Sequence, residues 1–354
     1  MRAAVTPTQR PPDARLLVIS SDGTQVHAPR SALADYLRPG DLLVANDAAT
    51  IPASLRGIHK RTGADIEIRL AGRHSLEPDD VREWTAVAFG AGDHRTRTED
   101  RPPPPALLPG DRLTLGPLDA TVVRRLGHRR LIEVRFAGTP DVIWDGIARH
   151  GRPIQYAHLP APLALWDVWT PVAAVPVAFE APSAGFALDW KLLDRLRLRG
   201  VGFATLTHAA GISSTGDTVL DAMLPLDEPY YLPENTVTAI CRARARGGRV
   251  IALGTTVTRA LEHAESRPCG LRPGPGVATQ RIGPESRLRV VHGILSGTHE
   301  PGSSHYELLR AFASDIVLER MSDELEGNGY RTHEFGDSVL LAAQSHVDQI
   351  RRAG

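Results

Sequence analysis

The sequence contains little cysteine and no cysteine-based metal motif. Of its 354 residues, only Cys241 and Cys269 are cysteines, and they stand apart rather than in a CxxC pair. This pattern excludes a disulfide-stapled scaffold and is typical of a reducing compartment. The spacing of His292, His299 and His305 fits no standard zinc pattern either. We therefore expect a protein without a metal.

Net charge and long apolar runs are also lacking. Lys and Arg together number 41, as do Asp and Glu, so no overall basic field attracts nucleic acid, although a local patch stays open. Residues 1–15 are polar and Pro-rich, without the apolar core of a signal peptide. No segment reaches the roughly 18 apolar residues that a membrane helix needs. We expect a cytoplasmic protein that does not bind a membrane.

The most informative stretch lies at residues 247–262. Residues 249–253 (RVIAL) form a short apolar run next to glycines, which predicts a buried parallel strand. Gly254, Thr255 and Thr256 predict a tight turn, with a helix starting near Val257. Such a turn places backbone N–H groups and hydroxyls at the carboxyl edge of a sheet, where α/β proteins bind ligands. The alternative is an ordinary strand-to-helix turn capped by threonine.

Strand-like and helical patterns alternate from residue 185 onward and predict an α/β layer. Two further buried strands are predicted at residues 14–20 and 41–46. In the C-terminal half we predict helices at residues 188–199, 235–246 (capped by Asn235) and 306–314, and strands at residues 202–207, 249–253 and 287–291.

Residues 60–150 show a different sequence pattern from the rest of the chain. Short β-like runs recur there, separated by turns rich in Gly, Pro and Asp. This pattern predicts a small antiparallel β-barrel. The predicted fold is an α/β domain formed by residues 1–59 and 151–354, with a β-barrel domain inserted at residues 60–150.

Several segments together resemble one known family. Residues 37–47 (LRPGDLLVAND), 51–53 (IPA), 181–185 (APSAG), 247–261 (GGRVIALGTTVTRAL), 287–299 (RLRVVHGILSGTH) and 335–337 (FGD) occur in the order of that family's motifs. Glu228 with Tyr230 and Tyr231 is similar to another motif of that family. The chain thus resembles the S-adenosylmethionine:tRNA ribosyltransferase-isomerases of queuosine biosynthesis over nearly its whole length.

The resemblance implies a fold and a reaction. The fold is an α/β domain holding the active site, with a small inserted β-barrel. In the reaction S-adenosylmethionine is a substrate: its sulfonium acidifies the neighbouring ribose carbon, and the sugar ring opens after deprotonation. An amine on a tRNA deazaguanine then takes the pentose fragment, which becomes an epoxycyclopentane, and adenine and methionine leave. No metal or second cofactor is implied.

The resemblance also points to site residues. Asp47 is a candidate base or ribose ligand, and His208 and His299 are candidates for moving the proton. Glu228 is a candidate for orienting adenine or ribose, and Arg259 for pairing with the methionine carboxylate. Each of these also has an ordinary structural alternative: a turn cap for Asp47, a structural histidine for His208 and His299, a solvated loop acid for Glu228, and an exposed helix residue for Arg259. The remaining predicted binding residues are Asn46, Pro182, Ser183, Ala184, Gly185, Gly211, Gly254, Thr255 and Thr256.

Two departures from the family pattern leave the acceptor open. Ala49 stands where the family has an arginine, and Gly302 stands where it has a lysine. Both changes remove cations suited to phosphate. Three acceptors therefore stay open: a tRNA, a small molecule, or S-adenosylmethionine itself. A non-catalytic binder of tRNA or nucleoside is a further alternative.

Overall fold

Two β-structures, a large mixed sheet and a closed barrel, organise the chain. The computed structural model of the protein describes residues 1–93, 95–96 and 100–343. The strands are β1 (Arg2–Ala3), β2 (Arg15–Ile19), β3 (Gln25–Pro29), β4 (Leu42–Asn46), β5 (Ala48–Thr50), β6 (Ser54–His59), β7 (Ala64–Gly72), β8 (Glu83–Phe89), β9 (Arg112–Leu115), β10 (Leu118–Arg125), β11 (Leu131–Phe136), β12 (Val175–Ala178), β13 (Gly202–His208), β14 (Glu228–Leu232), β15 (Val250–Leu253), β16 (Gly274–Ala278), β17 (Gly293–Gly297), β18 (Arg331–Thr332) and β19 (Ser338–Ala342).

Helices cover the large sheet and one side of the barrel. They are α1 (Pro140–His150), α2 (Leu165–Val168), α3 (Trp190–Leu198), α4 (Thr218–Asp221), α5 (Glu234–Ala245), α6 (Thr255–Ser266), α7 (Ser304–Leu309) and α8 (Asp315–Gly327). Short 3-10 helices span Arg30–Tyr36 and Ser183–Ala187. Among the described residues, no helix is long and apolar enough to span a membrane.

The large sheet has nine strands in the order β16-β14-β13-β4-β15-β17-β19-β2-β3. Its centre is parallel: β13 pairs with β4, β4 with β15, and β15 with β17, all in the same direction. Strands β4 and β15 are buried along their whole length, which explains why they appear in the sequence as continuous apolar runs. The predicted α/β fold class is confirmed.

Both faces of this sheet are packed. On one face Val44 of β4 shares a core with Ile240 of α5 and Leu261 of α6. On the other face Leu43, the preceding residue, shares a core with Leu196 of α3. Successive strand residues thus point to opposite faces, and the loops at the strand ends stay available for a site.

The barrel is closed by six strands in the order β10-β11-β8-β7-β6-β9, all antiparallel to their neighbours. Trp84 lies fully buried in its core, with edge-on ring contacts to Trp144 of α1 at 6.0 Å and to Phe179 at 5.9 Å. The predicted β-barrel is confirmed. The division of the chain at residues 59/60 and 150/151 stays a prediction, although β6, within residues 1–59, pairs inside the barrel.

The predicted strand at residues 287–291 is wrong, because the strand of this region is β17 (Gly293–Gly297). The carboxylate of Glu262 on α6 accepts the backbone N–H groups of Arg289, Val290 and Val291 at 2.8–2.9 Å. A side chain therefore satisfies the donors that a neighbouring strand would otherwise take. The apolar pattern showed burial, but burial alone does not specify a strand.

Several helix ends also differ from the prediction. Helix α6 begins at Thr255, two residues before Val257, directly after Gly254. Helix α5 begins after Pro233, and Asn235 is not its cap. Helix α7 ends at Leu309, and Ser314 precedes α8, a second helix that the sequence analysis did not predict.

Asp41, immediately before β4, fastens the amino ends of three parallel strands. Its carboxylate accepts the backbone N–H groups of Arg38 and Arg249 and pairs with the Arg249 guanidinium at 2.6 Å. Its carbonyl oxygen accepts the N–H of Gly202, the first residue of β13. Burial opposes ionisation of this carboxyl, but the hydrogen bonds from Arg249 and Arg38 outweigh it and lower the pKa. Asp41 therefore joins β4, β13 and β15.

We expect Asp41→Ala to lower the free energy of unfolding by about 3–5 kcal/mol, because it leaves the Arg249 charge and two backbone donors unpaired. Urea unfolding at pH 7 measures the loss. Because the pKa is lowered in the folded state, the difference should shrink as the pH falls below about 4. The matched control is Asp35→Ala, since Asp35 pairs with Arg195 and Arg199 but is about half exposed. Its cost should stay below about 1 kcal/mol, and equal losses in both variants would contradict the assignment.

Candidate active site

The carboxyl ends of the parallel strands meet beside a cavity of about 580 Å³. Its walls come from residues 180–184 after β12, residues 210–214 after β13, the first turn of α6 and residues 302–305. Parallel strands place their carboxyl ends at one edge of the sheet, so loops far apart in the sequence converge there.

Ten of the predicted site residues line this cavity. They are Pro182, Ser183, Ala184, Gly211, Glu228, Gly254, Thr255, Thr256, Arg259 and His299. Asn46, Asp47, Gly185 and His208 are not among its lining residues and lie beside or behind its walls. The structure thus brings most of the predicted set to one place, and the roles of these residues stay predictions.

Gly254 lets two of the lining segments approach closely. Its φ is +95°, in the region that favours glycine, and a Cβ there would lie 3.2 Å from the Cβ of Ala184. The turn at Ser183–Ala187 therefore packs directly against the start of α6. The glycine in the Gly-Thr-Thr stretch serves both the turn and this contact.

Asn46 and Asp47 form hydrogen bonds that join neighbouring strands. The Asn46 amide donates to the carbonyl of His208 at 2.9 Å, and its oxygen accepts the N–H groups of Ala48 and His208 at 3.0 Å. The Asp47 carboxylate accepts the Thr207 hydroxyl at 2.7 Å. Both side chains thereby hold the ends of β4 and β13 together.

Glu228 and Arg259 form a buried ion pair in the cavity wall. Arg259 Nη1 donates to the carboxylate of Glu228, and Nη2 donates to the carbonyl oxygens of Ala278 at 2.9 Å and Leu226 at 3.2 Å. The second Glu228 oxygen accepts the N–H of Gly211 at 2.7 Å. Burial raises the pKa of Glu228, against the effect of Arg259 and Gly211. Glu228 and Arg259 are both buried, so Glu228 is not a solvated loop acid and Arg259 is not an exposed helix residue.

His208 lies behind this pair. Its Nε2 is 3.4 Å from the Glu228 carboxylate, and its ring stacks on Tyr230 at 6.5 Å. Burial, with Arg259 nearby, holds the pKa of His208 well below its usual value, so the imidazole is neutral at pH 7.

His299 faces the cavity together with His305, which the sequence analysis considered only as a metal ligand. The His299 Nε2 is 2.9 Å from the Ser296 hydroxyl, and the two imidazole rings meet edge-on at 4.6 Å. Burial, with His305 and His333 nearby, holds the pKa of His299 well below its usual value. Burial and Arg259 lower the pKa of His305 to about 4. Both rings are therefore uncharged at neutral pH.

Glu180 is a cavity residue that the sequence analysis missed. Its carboxylate accepts the backbone N–H of Ser213 at 3.0 Å and the Ser213 hydroxyl at 2.7 Å. Burial raises its pKa to about 7, although the hydrogen bonds from Ser213 oppose this shift. The one available signal was its position directly before the 181–185 segment, because a sequence does not show how deeply a carboxyl is buried.

We expect Arg259→Met to lower the free energy of unfolding by about 3–5 kcal/mol, because Glu228 loses its buried counter-charge. The double variant Arg259→Met/Glu228→Gln should recover most of this loss, which urea unfolding measures. Arg244→Met is the control, since Arg244 is exposed and 3.9 Å from Glu265. If Arg259→Met kept its stability and lost only ligand affinity, Arg259 would instead be a ligand-binding residue.

Glu180→Gln should stabilise the protein in a pH-dependent way. The wild-type carboxyl must stay protonated in the fold up to about pH 7, whereas the unfolded chain ionises it near 4.5. Stability is therefore lost as the pH rises through this interval, by about 3 kcal/mol at 1.36 kcal/mol per pKa unit. We expect equal unfolding free energies for both proteins at pH 4 and an advantage for the variant at pH 8. An advantage that did not change with pH would contradict the raised pKa.

The comparisons with known proteins agree on one family. A family model described as "Queuosine biosynthesis protein" matches residues 1–341. The S-adenosylmethionine:tRNA ribosyltransferase-isomerase of Pelobacter propionicus is 34% identical over 337 residues, covering 92% of each chain. The enzyme of that name from Azoarcus sp. is also 34% identical, covering 94% of this chain and 92% of its own. A solved S-adenosylmethionine tRNA ribosyltransferase from Thermotoga maritima is 24% identical, with a TM-score of 0.49, and covers 96% of this chain and 94% of its own. The chain belongs to the queuosine biosynthesis protein family.

Proposed function

We propose that this protein is an S-adenosylmethionine:tRNA ribosyltransferase-isomerase, as its relatives are named. Family membership over residues 1–341 supports the reaction. The observation that carries the proposal is the cavity at the carboxyl ends of the parallel strands, where the Gly254–Thr256 turn meets residues 180–184. At about 580 Å³ it is within the size range of small-molecule sites.

The first turn of α6 is our candidate for binding the methionine carboxylate. Gly254, Thr255 and Thr256 line the cavity, and the N–H groups of a first helical turn lack partners within the helix. This end of a helix favours a negative group. Arg259 suits this role less well than the sequence suggested, because its guanidinium already pairs with Glu228 and backbone carbonyls. In this proposal Arg259 and Glu228 shape the wall.

Glu180 is our candidate for the base that removes the proton next to the sulfonium. A general base works best when its pKa lies near the working pH, and the pKa of Glu180 is about 7. The C–H proton passes to the carboxylate, and the carbon keeps the electron pair beside the sulfonium. His299 is the competing candidate, with a much lower pKa. As a neutral imidazole beside Ser296, His299 otherwise serves as a hydrogen-bonding group for the adenosine.

Asn46, Asp47 and His208 act as positioning residues in this proposal. Their hydrogen bonds fix the ends of β4 and β13, on which residues 210–214 of the wall depend. The acceptor is the amine of a tRNA deazaguanine. A small-molecule acceptor, or S-adenosylmethionine itself, would show in the following experiment as release without tRNA.

The test is release of adenine and methionine, followed by mass spectrometry. The purified protein is incubated with S-adenosylmethionine, with and without an unmodified tRNA that carries the deazaguanine amine. We expect release only with tRNA. Release without tRNA would contradict tRNA as the acceptor, and no release in either sample would overturn the proposed enzyme. A binding titration would then test the non-catalytic binder.

The pH dependence of turnover separates the two candidate bases. If Glu180 is the base, turnover rises with pH to a midpoint near or somewhat below 7, because only the ionised carboxylate accepts a proton. Glu180→Gln should lower turnover by roughly 100-fold or more. If His299 is the base, the midpoint lies far lower and His299→Gln has the larger effect. His27→Ala is the control, because His27 pairs with Glu324 on the surface.

A further inference from the structure

A second group of chemically active side chains lies beside the cavity. It consists of His158, from the connector after α1, and His333 with Glu334, from the turn between β18 and β19; we call it the His158 cluster. One ligand atom from each residue lies within 4.8 Å of the others. The His158 and His333 rings stack at 4.4 Å, and His158 Nε2 is 3.7 Å from Glu334 Oε2.

Polar atoms of this cluster are buried without partners. His158 Nε2 and Glu334 Oε2 are shielded from solvent and make no hydrogen bond in the described part of the chain. A buried polar atom without a partner is unfavourable, so native proteins rarely leave one. The 3.7 Å between these two atoms is too long for a hydrogen bond. Two buried polar atoms of different charge type thus lie close together, each with unused hydrogen-bonding capacity.

The backbone is held in an unusual conformation at the same place. His333 has φ +68° and is the one non-glycine residue with positive φ among those described. Positive φ is uncommon for residues other than glycine, although asparagine, aspartate and histidine are enriched there, and unusual backbone conformations collect at functional sites. The Tyr156 ring also stacks on the His158 ring, at 5.6 Å. The His158 ring is thus in stacking contact with two other rings, whereas the His333 side chain is exposed.

We propose that His158, His333 and Glu334 bind one divalent first-row transition-metal ion. Two imidazole nitrogens and one carboxylate oxygen are a ligand set that such ions take, with an open position for water or substrate. Ligand atoms around a tetrahedral ion lie roughly 3.3 Å apart. The three atoms now lie within 4.8 Å of one another, so binding requires them to move closer and the exposed His333 ring to turn out of its stack on His158. The three ligands join two segments that are distant in the sequence, which is why the sequence analysis predicted no metal.

The site would adjoin the candidate active site. The His333 carbonyl and the His299 ring lie 4.0 and 3.7 Å from the position of a Cβ built on Gly297. Glu180 of the cavity acts electrostatically on Glu334. A bound ion would therefore hold the connector and the β18–β19 turn together at the cavity wall.

The test uses the full chain with any affinity tag removed, stripped with a chelator and titrated with Zn²⁺ by calorimetry. We expect one equivalent to bind. The affinity for Zn²⁺ should fall by roughly 100-fold or more in Glu334→Gln and in His333→Asn. Loss of a residue that only hydrogen-bonds to a metal ligand already lowers metal affinity by about 10- to 100-fold. Asparagine tolerates positive φ, so the second variant removes the ligand without adding strain. Loading with Co²⁺ should give a visible absorption band that both variants lose.

The control is His27→Ala. The imidazole of His27 also faces a glutamate, Glu324 at 2.8 Å, but within the described part of the chain it belongs to no three-residue group of metal-ligating side chains. It should bind Zn²⁺ as the wild type does. Thermal unfolding shows whether each variant is folded, and Zn²⁺ should raise the melting temperature of the wild type and the control only. Unchanged Zn²⁺ affinity in folded Glu334→Gln and His333→Asn, or no binding by the wild type, would overturn the proposal.

Discussion

The buried carboxylate of Asp41 sets the alignment on which the candidate site depends. This carboxylate accepts hydrogen bonds from Arg38 and Arg249, and the backbone carbonyl oxygen of Asp41 accepts the first N–H of β13. Three neighbouring parallel strands thus begin at one level. Because they rise by nearly the same distance per residue, Leu206 of β13 stays paired with Asn46 at the end of β4, and β13 continues two residues further to His208. The loops that follow Asn46, His208 and Leu253 therefore emerge side by side, and the cavity forms between them.

At that edge, charge is controlled by burial and by pairing. Arg259 and Glu228 neutralise one another inside the wall, and Asp47 is hydrogen-bonded to Thr207. Burial lowers the pKa of His299 and of His305, so both rings are neutral. This leaves Glu180 as the cavity group that changes charge near neutral pH. Arg259, Glu228 and Asp47 thus maintain the wall, whereas Glu180 can exchange a proton.

Sequence patterns predicted the layers and most strands. Strands buried on both faces, such as β4 and β15, appear in the sequence as continuous apolar runs, and the barrel strands appear as short β-like runs between turns. These patterns failed where a side chain replaces a backbone partner. Residues 287–291 are apolar enough for a strand, yet Glu262 takes their N–H groups from a helix 25 residues earlier in the chain. Of the ten predicted residues that line the cavity, Gly254, Thr255 and Thr256 were found from the strand-to-helix turn pattern, and the others through the family resemblance. Glu180 and the His158 cluster were missed because their properties arise from burial and from contacts between distant segments.

The charge of S-adenosylmethionine fits this arrangement for a physical reason. A sulfonium cation is repelled by charged imidazoles, and burial keeps His299 and His305 uncharged at neutral pH. The same cation close to Glu180 would favour the ionised carboxylate and lower its pKa from about 7, the value that burial produces against the opposing hydrogen bonds from Ser213. The ligand itself would thus raise the fraction of Glu180 that is ionised and able to accept a proton at neutral pH. Proton abstraction would then be coupled to occupancy, because the ionised fraction of Glu180 is higher when the acidified C–H group is beside it, even though the lower pKa makes each carboxylate a weaker base.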